Sequence, residues 1–342
     1  MHCDQQPLFP NGSHGYFCFR IPALVVSNQG TVLAFCEGRK INCRDHGDID
    51  LVLKRSFDNG QTWTDMEVVN QGAGRTSGNA CAVVDRNNGT IWLVFCRDSK
   101  KIFIIKSTDD GETWSEPTDI TAGARDPAWH WVFTGPGHGL QLASGRLLIP
   151  CSADLKPRLG EIQFSYTFYS DDHGATWKLG SALDYNASDE CEVVELTDGR
   201  LYMNMRSRQK KHQRAFSHSE DGGISWSPVQ YDPHLPEPSC QGSILRFTES
   251  SRFRKNRILI STPANPSQRS HLTVRVSYDE CQTWAVSKIL DEGEAGYSDL
   301  AVTPEWDILC FYERESTGEL VLARFDIEWL TDGEDSLHEQ VN

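Results

Sequence analysis

The residue types from which this chain of 342 residues could build chemistry are arginines, carboxylates and one tyrosine in a few short stretches. FRIP, Phe19 to Pro22, is followed nineteen residues after Arg20 by Arg39, and EGRKINCRDHGDID offers Asp45, Asp48 and Asp50. DECEVVELTDGRLYMNMRSR holds Glu190, Arg206 and Arg208, NPSQRSHLTVRVS holds Arg269, and AGYSDL and CFYERES hold Tyr297 and Glu313. A guanidinium keeps its charge and grips a carboxylate through paired hydrogen bonds. A carboxyl group serves as general acid or base, and a phenol becomes a nucleophile when a base stands beside it. Taken singly, any of the 33 Lys plus Arg or 48 Asp plus Glu is most often a solvated surface charge, so the set matters more than its members.

The formal net charge of −15 disfavours nucleic acid and anionic membranes as partners, and an anionic small ligand would need a local cationic pocket. No apolar run reaches the length of a membrane span, and the first residues lack the charged-then-apolar order of a signal peptide. As written, the chain reads as soluble and cytoplasmic, or as secreted with a signal removed. Sequons at Asn11, Asn88 and Asn186 matter only in the second case. Eleven cysteines, among them Cys36, Cys81, Cys96, Cys151 and Cys310, occur without C-x-x-C pairs. That pattern argues against zinc and against a disulfide scaffold and predicts free buried thiols.

The elements that must position these residues announce themselves by repetition. SFDNGQTW at 56 recurs as STDDGETW at 107, SDDHGATW at 170, SEDGGISW at 219 and, with Cys281 in place of glycine, SYDECQTW at 277. Spacing of roughly 50 to 60 residues is that of propeller blades. Alternating stretches such as KIFIIKS and LTVRVS precede the boxes, so each box joins two antiparallel strands. Aspartate binds backbone N–H groups two residues on and glycine supplies positive φ, which makes the boxes structural turns on the rim. Five boxes with a stretch at each end predict an all-β, six-bladed β-propeller as a single domain over 1–342, its last blade closed by both termini.

FRIP with these boxes and stretches resembles the exo-α-sialidase (neuraminidase) family over nearly the whole chain. The resemblance implies Asp45 as general acid and base, Glu190 as the base beside a nucleophilic Tyr297, and Arg20, Arg206 and Arg269 as a clamp on the sugar's carboxylate. Glu313 would hold Arg20, Arg39 would contact the carboxylate side of the sugar, and Asn79 in GNACAVVD would lie near the N-acyl group. Asp48, Asp50 and Arg208 are bystanders in this reading, and His138 in GPGHGLQL is architectural. A neutral tyrosine avoids bringing a second anion to the carbon that bears the substrate's carboxylate, and tyrosine nucleophiles are the exception to the two-carboxylate rule of glycosidases. The implied activity is retaining hydrolysis of terminal sialic acid from glycoproteins, glycolipids or oligosaccharides, without metal or organic cofactor. Two alternatives stay open: a trans-sialidase whose acceptor site uses Trp129 and Trp131, and a non-catalytic propeller that binds glycan or protein.

Overall fold

In the computed structural model, which describes residues 2–315 and 319–338, the chain folds into antiparallel meanders built almost wholly from β-strands. The first meander comprises Cys18–Val26, Val32–Arg39, Ile49–Ser56 and Glu67–Asn70, and the pattern repeats along the chain. Two meanders share the long strand Val286–Val302, which pairs through residues 286–294 with the strand before it and through 295–302 with the strand after it. Counted this way, six four-stranded meanders lie among the described residues. The last takes its outer strand, Cys3–Phe9, from the start of the chain, paired with Glu319–Phe325 from the end.

The inner strands touch in a closed ring, Cys18–Val26 to Ser77–Val84, then through the third meander's Leu140–Gln141 and Leu147–Asp154 to Ser188–Glu195, and on through Ser243–Thr248 to Val286–Val302 and back to the first. This is a β-propeller. Its core is divided among the blade interfaces rather than gathered at one centre: each adjacent pair of meanders has its own buried apolar cluster. Strands covered on both faces are accordingly apolar for most of their length, as in Val32–Arg39, where every residue is buried and only Glu37 and Arg39 are charged.

The boxes sit at the turns between third and fourth strands, on the face opposite the site described below. Ser56 Oγ accepts the Gly60 N–H at 2.8 Å and donates to Asp58 Oδ1, which accepts the Thr62 N–H at 2.8 Å. The other four boxes repeat this network. Each box tryptophan packs into the cluster shared with the preceding blade, so the boxes staple blades together as well as closing turns. Blade six needs no box because no turn joins its third and fourth strands.

Gly174 shows why the glycine matters. Its φ is +84°, and a Cβ there would stand 2.4 Å from Trp92 of the neighbouring blade. Gly174→Ala should lower unfolding stability by about 2–5 kcal/mol, the sum of left-handed strain and overpacking. Gly199, with φ +84° and nothing within 4 Å of such a Cβ, should lose only about 1–2 kcal/mol. Denaturant titration of the two variants checks the difference, and equal losses would show that the staple contributes nothing. Cys281 accepts the same strain, at φ 66°.

One expectation is corrected. Cys18 and Cys43 form a disulfide with Cα atoms 5.6 Å apart, while the other nine cysteines are free and all but Cys3 are buried. Pairing of Cys18 with Arg39 across the first two strands lets the following loop fold back onto Cys18, a proximity that no local cysteine spacing announces.

Candidate active site

First strands begin, and second strands end, on one face of the propeller, and there the innermost strands are bulged. Register breaks fall between Arg20 and Ala23, Gly78 and Cys81, Ser188 and Cys191, and Ala295 and Ser298. A bulge re-aims side chains beside functional sites, and these four carry Arg20, Asn79, Glu190 and Tyr297. In FRIP the bulge puts Ile21 at φ 64°, a left-handed conformation costly for a β-branched residue. Its N–H is held by Glu313 Oε1 at 3.0 Å. The same carboxylate takes Arg20 in a two-pronged bond, Nε to Oε1 at 3.0 Å and Nη2 to Oε2 at 3.1 Å.

At the centre stands Tyr297. Its hydroxyl donates to Glu190 Oε1 and accepts from Arg206 Nη1 at 3.1 Å, and the same Nη1 donates to Glu190 Oε2 at 2.8 Å. The Arg20 and Arg269 guanidinium carbons lie 5.5 and 5.2 Å from the centre of the tyrosine ring. Three arginines from three blades therefore surround one phenol. Burial raises the phenol's pKa and Glu190 adds to the rise, against Arg206 and Arg269. Glu190 is also raised, by burial first and by Asp189, although Arg206 and the tyrosine hydroxyl pull the other way. For Glu313 burial is outweighed by Arg20, and the carboxyl stays below its usual range.

Asp45 occupies the loop 40–48 above this centre. Its Oδ1 accepts from Arg39 Nη1 at 2.9 Å and from Arg20 Nη1 at 3.2 Å, while 73% of the side chain remains exposed. Burial of part of the group would raise its pKa, but Arg39 and Arg20 prevail and it is lowered. Arg39 stands apart from the three-arginine ring. Only 1% exposed, it spends its donors on Glu37 Oε2, the Cys43 carbonyl and Asp45. It thus backs the Asp45 loop, where the resemblance implied a contact with the sugar. Asn79, half-buried at φ 57°, is fixed through its N–H to Glu37 Oε1 at 2.8 Å.

The bystanders take other places. Asp50 is buried, accepting from Tyr16 Oη and the Gly72 N–H at 2.7 Å each, and Asp48 pairs with Lys40. Arg208 reaches Asp189 at 3.4 Å. His138 bonds Asp299 Oδ1 at 2.7 Å and lies 3.6 Å from Glu192. Burial opposes its charge, yet the two carboxylates lift its pKa to about 9, which makes it a buried ionic strut under the site. Trp129 belongs to the apolar cluster between the second and third blades, while Trp131 lies 6.0 Å from the His46 ring beside Asp45.

Sequence reasoning missed Ser239. In left-handed conformation at φ 60°, it accepts from Arg206 Nε through its hydroxyl at 3.2 Å and from Arg269 Nη2 through its carbonyl at 3.4 Å. One residue thereby sets the spacing of two of the three guanidiniums. It has no motif of its own, and only the conformation identifies it. Glu37 was missed although it opens the EGR stretch, because its role lies in the contacts it makes with Arg39 and with the Asn79 N–H.

Comparison with known proteins agrees with this geometry. The family described as BNR repeat-like domain matches residues 30–309, which fits the repeated boxes. The sialidase of Micromonospora viridifaciens is 33% identical over 95% of this chain, which spans 54% of that protein's length. An exo-alpha-sialidase of Aspergillus fumigatus is 31% identical, covering 93% of this chain and 86% of its own, and sialidase-2 of Cricetulus griseus is 31% identical, covering 95% and 96%. Among solved structures, the Hadza microbial sialidase Hz136 superposes with a TM-score of 0.88 at 27% identity, over 95% of this chain and 69% of that one. The chain belongs to the sialidase family.

Proposed function

We propose that this chain is a retaining exo-α-sialidase, which cleaves terminal sialic acid from glycoproteins, glycolipids or oligosaccharides through a tyrosyl-enzyme intermediate. The observation that carries the reading is the Tyr297 hydroxyl bonded to Glu190 and Arg206, with Arg20 and Arg269 over its ring. Three guanidiniums supply the local positive charge that an acidic protein needs to hold an anionic sugar. As the phenol attacks the anomeric carbon, Glu190 accepts its proton, and Arg206 stabilises the developing oxyanion. Both groups are in hydrogen-bond reach, and the raised pKa of Glu190 suits it to take a proton.

Asp45 protonates the leaving oxygen and afterwards removes a proton from water. In the free cleft it is an ion-paired carboxylate. A substrate carboxylate arriving at Arg20 competes for one of the two cations that hold it ionised, so binding itself lifts its pKa toward that of a usable acid. With Trp129 packed in the core, the acceptor surface that a transferase would need loses one of its two aromatics, and water is the favoured acceptor.

The protonation states give the test. The reacting complex needs Glu190 ionised although its pKa is raised, and Asp45 protonated although its pKa is lowered in the free protein. On sialyllactose, kcat/KM should therefore fall on both sides of an optimum: as Glu190 gains its proton on the acid side, and as Asp45 loses its own on the alkaline side. Asp45→Asn should flatten the alkaline limb. A profile that rises to a plateau above neutrality would contradict these assignments.

A further inference from the structure

Cys18 lies two residues before Arg20, and Cys43 two residues before Asp45. Their disulfide therefore joins the base of the strand that carries the first clamp arginine to the loop that carries the proposed acid. We propose that the Cys18–Cys43 bond is a positioning device for Asp45, and that a dithiol reductant lowers the rate of the acid-dependent step by releasing it. The proposal rests on Asp45 acting as general acid in the reading above.

The loop 40–48 makes no regular structure and has few other anchors. Lys40 bonds Asp48 at the loop's neck, with the Lys40 N–H to the Asp48 carbonyl at 3.2 Å. Gly47 exchanges hydrogen bonds with Thr76 Oγ1 at 3.0 and 3.1 Å. Between those ends, Arg44, Asp45 and His46 are exposed; the Arg44 N–H bonds within the loop to Asn42 Oδ1 at 2.9 Å, and the Cys43 carbonyl bonded to Arg39 Nη1 at 2.6 Å ties the backbone to the strand beneath. The disulfide fixes this same point from the other side, because Cys18 is fully buried in a strand paired with Arg39. Without it, the position of Asp45 depends on ion pairs to Arg39 and Arg20, and Arg20 is the cation that the substrate's carboxylate engages. The covalent link thus matters most when substrate is bound and the Arg20–Asp45 pair is weakened.

Reduction breaks the Sγ–Sγ bond and adds two electrons and two protons to give two thiols, while the dithiol closes to its own cyclic disulfide. The reagent has one target among the described residues. Of the nine free cysteines eight are buried, and burial lifts the pKa of the thiols of Cys96 and Cys240 to about 11, which leaves them poorly reactive. A disulfide of this kind also fits work in an oxidising compartment better than in the cytoplasm.

The test compares untreated and dithiothreitol-treated wild type with Cys18→Ser/Cys43→Ser, all mapped by alkylation and peptide mass. Reduced wild type should turn over sialyllactose about tenfold more slowly, a fraction of the 10²–10⁴-fold that a general acid contributes. It should lose far less on an aryl sialoside, whose leaving group needs little protonation. The double variant should show the lowered rate with and without reductant. Trypsin should cut at Lys40 or Arg44 faster in both reduced forms. Full sialyllactose turnover with Cys18 and Cys43 alkylated would overturn the proposal, as would alkylation of both before any reductant is added. If no sialoside is cleaved in any state, the functional reading fails, and the trypsin arm still decides the tether: unchanged cleavage on reduction would show that the bond does not hold the loop.

Discussion

Tyr297→Phe is expected to fold like the wild type and to lose at least about 10³-fold in turnover of sialyllactose, the scale of removing a nucleophile or its acid–base partner. The ring remains packed against Ile21 and Cys240, so its apolar contacts survive. Glu190 keeps its ion pair with Arg206 at 2.8 Å, so no buried charge is left without a partner. Only the oxygen that would bond to the anomeric carbon disappears. Substrate affinity should change little, because the three arginines stay. A variant with normal KM and collapsed kcat matches this role. Wild-type turnover would mean that the phenol is architecture, and a large rise in KM with kcat intact would make it a binding group.

Asp45→Asn should cost about 10²–10⁴-fold on sialyllactose, the usual contribution of a general acid. The amide oxygen can still accept from Arg39 and Arg20, so the loop keeps its hydrogen bonds while losing the transferable proton. The loss should shrink steeply on an aryl sialoside, since a phenolate leaves without help. This dependence on leaving group separates proton donation from mere support of the arginines. Equal losses on both substrates would place Asp45 among the positioning residues.

Much of this site could be read from the chain because its parts are polar residues in distinctive local contexts. The five boxes showed strand pairing and blade number through spacing alone, and the box network is local enough that SFDNGQTW contains every partner it uses. Arg20, Arg206, Arg269, Tyr297, Glu190 and Glu313 were found through the motifs around them, and the fold brings all six together. What stayed hidden depends on distant geometry. Arg39 is implied by the resemblance on the sugar's carboxylate side; in the free protein its donors are taken by Glu37, the Cys43 carbonyl and Asp45, contacts that a linear reading of the chain does not announce. Ser239 owes its importance to a left-handed backbone conformation between two arginines that lie far apart in sequence. The Cys18–Cys43 link follows from strand register, which the count of eleven scattered cysteines concealed. The bulge in FRIP leaves no compositional trace, since Ile21 carries positive φ without the glycine that would have announced it.

The most direct test of a tyrosine nucleophile is the configuration of the first product. Proton NMR of the reaction with α2,3-sialyllactose, recorded before mutarotation, should show free sialic acid appearing first as the α-anomer, because two displacements at the anomeric carbon restore its configuration. First appearance of the β-anomer would contradict a covalent tyrosyl intermediate, and no release from this substrate or its α2,6 isomer by folded protein would contradict the hydrolase itself.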